Sequence, residues 1–70
     1  MAYYAYATVL TKANGVVITT SSTLGYAEAT SDDEARGIAI RVAMEVKPGF
    51  NVAQVNVVEL KGLVAEVYTP

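Results

Sequence analysis

Asn14-Gly15 stands between two runs of strong strand character, and no other signal in the chain fixes so much of the fold at once. The first run, Ala2 to Lys12, is rich in Tyr, Val and Thr and contains no Gly or Pro. The second opens Val16-Val17-Ile18-Thr19-Thr20 directly after the turn. Asn-Gly is the dipeptide that best tolerates the positive φ angles of a type I′ turn, so a β-hairpin is expected with Ala13 opposite Val16. That register sorts the side chains. Tyr3, Ala5, Ala7 and Val9 share a face with Tyr26, Leu24, Ser22 and Thr20, with Ile18 beyond them. The other face carries Tyr4, Tyr6, Thr8 and Leu10 opposite Gly25, Thr23, Ser21 and Thr19, with Val17 near the turn. A bulge in the polar run Thr19 to Thr23 would shift this register.

Ser31-Asp32-Asp33-Glu34 then reads as a helix start, with Ser31 as N-cap and Glu34 completing a capping box. The helix is expected to reach about Lys47, where Pro48-Gly49 stops it. Ala35, Ile38, Ala39, Val42 and Val46 recur at three- and four-residue spacing and form the stripe that faces the sheet. Close approach of a helix to a sheet favours small residues on both, which places the stripe over Tyr3, Ala5, Ala7 and Val9. Phe50 to Leu60 reads as a third strand, with Ala53, Val55 and Val57 on one side and Val52, Gln54, Asn56, Val58 and Leu60 on the other. Residues 63–68 are apolar enough to add a fourth strand or to fold across the open face.

A right-handed crossover through the helix sets the third strand parallel to the second and beside the first. The expected fold is α+β, of ββαβ(β) type, with one helix on one face of a three- to four-stranded, mainly antiparallel sheet of order 2-1-3(-4). Residues 1–70 make one domain, because 70 residues hold one small core.

Composition narrows the function classes. The chain has neither histidine nor cysteine, which removes the commonest nucleophiles, general bases and transition-metal ligands. Asp32, Asp33, Glu28, Glu45, Glu59, Glu66, the tyrosines, the lysines and the cluster Thr20-Ser21-Ser22-Thr23 form no catalytic constellation, so the protein reads as a non-enzyme without a cofactor. Asp32, Asp33 and Glu34 complement the positive end of the helix dipole; a metal site would need further converging oxygens, and only Glu28 is near in sequence. A net charge of −2, with Lys12, Arg36, Arg41, Lys47 and Lys61 scattered, argues against nucleic acid. No run spans a membrane and Met1-Ala2-Tyr3-Tyr4 does not open a signal peptide, so a cytoplasmic location is expected.

Two surfaces remain to be explained. With the helix on the other face, Tyr4, Tyr6, Leu10 and Val17 are left uncovered, and Ile40 and Met44 sit one turn apart on the outer side of the helix. Contiguous apolar surface on a small protein marks an interface, and a hydrophobic fraction of 53% cannot all be buried in so small a body. A homo-oligomer, dimer or higher, assembled through the tyrosine face is expected, acting by protein contact with an as yet unidentified partner. The alternative is single-stranded nucleic-acid binding by base stacking on Tyr4 and Tyr6.

The run from Tyr4 through Asn14-Gly15 to Ser31-Asp32-Asp33-Glu34-Ala35, closed by Pro48-Gly49-Phe50 and Val55-Asn56-Val57-Val58-Glu59-Leu60, resembles small phage, prophage and bacterial proteins. In those a hairpin precedes an acidic-capped helix and a final strand. Leu24-Gly25-Tyr26 with the helix start Ser31 to Ala35 is similar to the N-terminal domain of HicB-type antitoxins, although apolar strands stand here in place of a DNA-binding segment. Together these imply the ββαβ fold; the accessory or regulatory role is expected from the open apolar surfaces.

Overall fold

The computed structural model describes residues 1–61. Strand β1 (Ala2–Asn14) and strand β2 (Val17–Ala29) form the hairpin, helix α1 (Asp32–Val46) follows, and strand β3 (Asn51–Glu59) returns. β1 is central and antiparallel to both neighbours, giving the order β2-β1-β3 and the expected α+β fold. Residues 63–68, a candidate fourth strand, lie outside the described residues.

The hairpin turns one residue later than the dipeptide suggests. Gly15 has a φ of +63° and Val16 keeps a negative φ. This is the requirement of a type II′ turn, which needs a positive φ only at its first central residue. Asn14 therefore stays in the ladder opposite Val17, and Tyr3 meets Glu28 instead of Tyr26. The slip is two residues, so every side chain keeps its face.

Which face the helix covers is the opposite of the expectation. Tyr4, Tyr6, Thr8 and Leu10 lie beneath α1, and Tyr3, Ala5, Ala7 and Val9 look away from it. The helix explains why. Its buried residues are Ala35, Ala39 and Ala43, four apart on one stripe, with Ile38 and Val42 half-buried and Val46 exposed. Methyl groups alone cannot fill a core, so the bulk comes from the sheet: a tyrosine ring buries roughly 150–250 Å². Tyr4 packs with Ala29 and Ala35, and Tyr6 with Ala27 and Ala39. Large against small interdigitates; small against small would leave voids.

β3 adapts through a bulge. Val9 pairs with Gln54 but Leu10 with Val52, so Ala53 is an extra residue. Its insertion brings Val52 onto the same side as Val55 and Val57, facing the helix with Leu10, Thr8 and Tyr6. The imperfect alternation of this strand is the trace of that bulge.

The helix ends follow the sequence signals. Ser31 is extended, with φ −157°, and its hydroxyl accepts the Glu34 N–H at 3.2 Å. Glu34 does not complete the box; its carboxylate accepts from the Thr30 hydroxyl at 2.8 Å. At the other end the Lys47 N–H bonds the Ala43 carbonyl, and Gly49 turns the chain with φ +90°. Beneath the helix the only buried polar side chain among the described residues, Thr8, shares a 2.5 Å hydrogen bond with the Thr23 hydroxyl and accepts the Thr23 N–H.

Gly25 lies opposite Tyr6, and the phenol crosses over it. A Cβ there would stand 2.5 Å from Tyr6 Oη and 2.7 Å from Cζ. Gly25→Ala is expected to destabilise the fold by about 1–3 kcal/mol through displacement of the ring. In a Tyr6→Leu background the same substitution should cost clearly less, which denaturant titration of the double-mutant cycle measures.

Candidate interaction surface

Because the helix takes one side of the sheet, the other side has no cover among the described residues. Side chains on it run in cross-strand rows: Tyr26, Ala5 and Val58; then Leu24, Ala7 and Asn56; then Ser22, Val9 and Gln54. The small residues of β1 form a half-buried floor, and the flanking residues of β2 and β3 rise beside it. Leu24 is 79% exposed, Tyr26 76% and Val58 63%. Tyr3 and Val9 add partly exposed apolar surface along β1. The face grades from apolar at the Tyr26 end to amide and hydroxyl groups at the Gln54 end. Its one charged side chain among the paired strand residues is Glu28, at the corner opposite Tyr3.

The residues expected to form an interface are distributed differently. Tyr4 (2% exposed), Tyr6 and Leu10 are core, held beneath the alanine stripe, and present no face to a partner. Val17 is exposed, but near the hairpin tip, where β2 runs on past the last β3-paired residue of β1, Thr11. Ile40 and Met44 are exposed on the outer side of α1, as expected, and stay together there. The structure brings none of these exposed residues to the open sheet face. Tyr3, Leu24, Tyr26 and Val58 take that place. Two signals in the sequence point to them: the alanine repeat 35-39-43, which demands large residues on the sheet face it meets, and Gly25, which leaves room for a ring from its cross-strand neighbour.

Several polar groups are committed to structure. Tyr4 Oη donates to Glu59 Oε1 at 3.2 Å, tying β1 to the end of β3. Arg36 Nη1 donates to the Val55 carbonyl at 2.7 Å, and the Lys12 ammonium stands 5.9 Å from the centroid of the Phe50 ring. Neither cation reaches the open face. Among the described residues no three acidic side chains gather as a metal site would require, and no helix is long and apolar enough to cross a membrane. Glu66 lies outside the described residues.

Burial pushes the Tyr4 phenol above its usual 10.0, and the Glu59 carboxylate that accepts its proton, together with the Asp32 charge, pushes the same way. The folded state therefore holds the neutral phenol, while the unfolded chain ionises first. That contribution is fully present below pH 10 and is lost as pH rises through the folded value. Above about pH 10 the wild type should lose stability more steeply than Tyr4→Phe. Parallel thermal melts of the two proteins read the difference; equal slopes would contradict it.

No family model, curated protein or solved structure matches this chain, so the reading of this surface rests on its geometry and chemistry.

Proposed function

We propose that this protein is a non-enzymatic accessory or regulatory module that self-associates through the sheet face left open by the helix and works by protein contact. One observation carries the reading: Leu24, Tyr26 and Val58 stand exposed in adjoining rows around Ala5 and Ala7, on a face whose paired strand residues carry a single charge, at its corner. Contiguous apolar surface of this kind is covered in functioning proteins. A second copy is the occupant favoured here. Sheets stack face to face at about 10 Å when their inner residues interdigitate, and a floor of alanines between taller side chains offers the recesses.

Base stacking on an open sheet is the second reading. Tyr4 and Tyr6 are buried and have no role in it; the exposed Tyr3 and Tyr26 rings favour it instead. Against it stands the lack of any basic residue among the paired strand residues of that face.

Light scattering on the wild type should give a mass at or above twice 7.4 kDa. Leu24→Ser combined with Tyr26→Ser should lower it by half or more while the circular dichroism of helix and sheet is kept. Added salt should not weaken the assembly, since apolar contacts are not screened. A wild-type monomer at high micromolar concentration would contradict the proposal, as would an unchanged mass in the double variant.

A further inference from the structure

We propose that the outer edge of β2 is a second assembly surface, which pairs antiparallel with the same edge of another copy, centred on Ser22, to make one continuous six-stranded sheet. The proposal rests on the self-association reading and adds to it a surface of a different kind. Pairing by edges lays two open faces side by side, and stacking of those faces then gives four chains.

The two edges of the sheet are not alike. Open edges invite strand pairing, and proteins blunt them with short strands, bulges, charges or proline. β3 is nine residues long, carries the Ala53 bulge, and has its Val55 carbonyl occupied by Arg36. Among the described residues β2 has none of these devices. It is thirteen residues long, its register with β1 is unbroken, and from Val17 to Ala27 it contains no charged residue and no proline.

The register says which groups it offers. In a two-residue hairpin the closing pair exchanges both hydrogen bonds, and such pairs recur at every second residue. Counting from Asn14 and Val17, the odd-numbered residues of β2 bond to β1. Ile18, Thr20, Ser22, Leu24 and Tyr26 therefore direct their N–H and C=O groups outward. The same alternation places the Tyr3 carbonyl toward β3 and the Val55 carbonyl on the outer edge, which is where their partners are found.

The occupant follows from self-complementarity. A two-fold axis at Ser22 sets Ser22 against Ser22, Thr20 against Leu24, and Ile18 against Tyr26, an aromatic and β-branched pair of the kind that stabilises sheets. Thr23 and Ser21 meet on the other side, where hydroxyls hydrogen-bond across strands. The paired span, Val17 to Ala27, coincides with the uncharged segment, so no like charges are opposed. An isologous contact of this sort closes on itself.

Amide hydrogen exchange on the wild type tests the edge without perturbing it. At assembling concentration the N–H groups of Thr20, Ser22, Leu24 and Tyr26 should exchange at least ~10-fold more slowly than on dilution to monomer. Free-edge rates at those residues, with the odd-numbered ones protected, would overturn the proposal. Register is tested by cross-linking, since the chain has no cysteine of its own. Ser22→Cys should form an intermolecular disulfide under mild oxidation much faster than Thr19→Cys, which lies off the open face and would oppose Gly25, because directly opposed residues lie about 5.5 Å apart, within disulfide range. Equal rates would overturn it. The two surfaces fail separately. Slow edge amides with no loss of mass in a Tyr3→Ser, Val58→Ser variant, whose residues are on the open face but off β2, would remove the face and keep the edge, and the reverse result would keep the face alone.

Discussion

The contact between an alanine stripe and a tyrosine face is the constraint on which the rest of this structure depends. A helix whose buried residues are Ala35, Ala39 and Ala43 supplies almost no apolar volume of its own, and it comes close to the sheet only if the sheet supplies the bulk. Tyr4, Tyr6 and Leu10 do so. Because side chains alternate along a strand, committing these three to the core commits Tyr3, Ala5, Ala7 and Val9 to the opposite face. The open surface is thus a consequence of the core: among the described residues only α1 covers the sheet, and it covers one side.

Several local features serve that one contact. Gly25 lacks a side chain where the Tyr6 ring crosses it, and at that edge a shallow hollow of about 310 Å³ is lined by Ala5, Tyr6, Leu24, Gly25 and Tyr26. The Ala53 bulge turns Val52 inward beside Val55 and Val57, so that β3 gives the helix three valines instead of two. Thr8 and Thr23 satisfy one another in the middle of the face, which lets a hydroxyl be buried beneath an apolar stripe at little cost. The bulge that improves the core also marks β3 as the guarded edge, and the regular β2 is left as the open one.

Much of this was legible in the residues. The hairpin, the Ser31 cap, the stop at Pro48-Gly49 and the strand order follow from local signals of high specificity. The division of the hairpin into two faces is equally robust, since the shift of the turn from Asn14-Gly15 to Gly15-Val16 moves the register by an even number. The choice between the faces was less accessible. Both carry tyrosine and small residues, and smallness on the helix is compatible with small or large partners until volume is counted. Once Ala35, Ala39 and Ala43 are recognised as the innermost positions, filling the space selects Tyr4 and Tyr6. The expected interface therefore named a face by the right criterion, uncovered apolar surface, but attached it to the side that the helix takes. Ile40 and Met44, which depend only on helical periodicity, are exposed as expected.

Short-range proton contacts in solution test the packing most directly. The account predicts nuclear Overhauser effects from the Tyr6 ring to the Ala39 methyl and from the Tyr4 ring to the Ala35 methyl, and none from Tyr3 or Tyr26 to any alanine of the helix. Contacts from the Tyr3 or Tyr26 rings to Ala35 or Ala39, with the Tyr4 and Tyr6 rings silent toward the helix, would reverse the faces and contradict it.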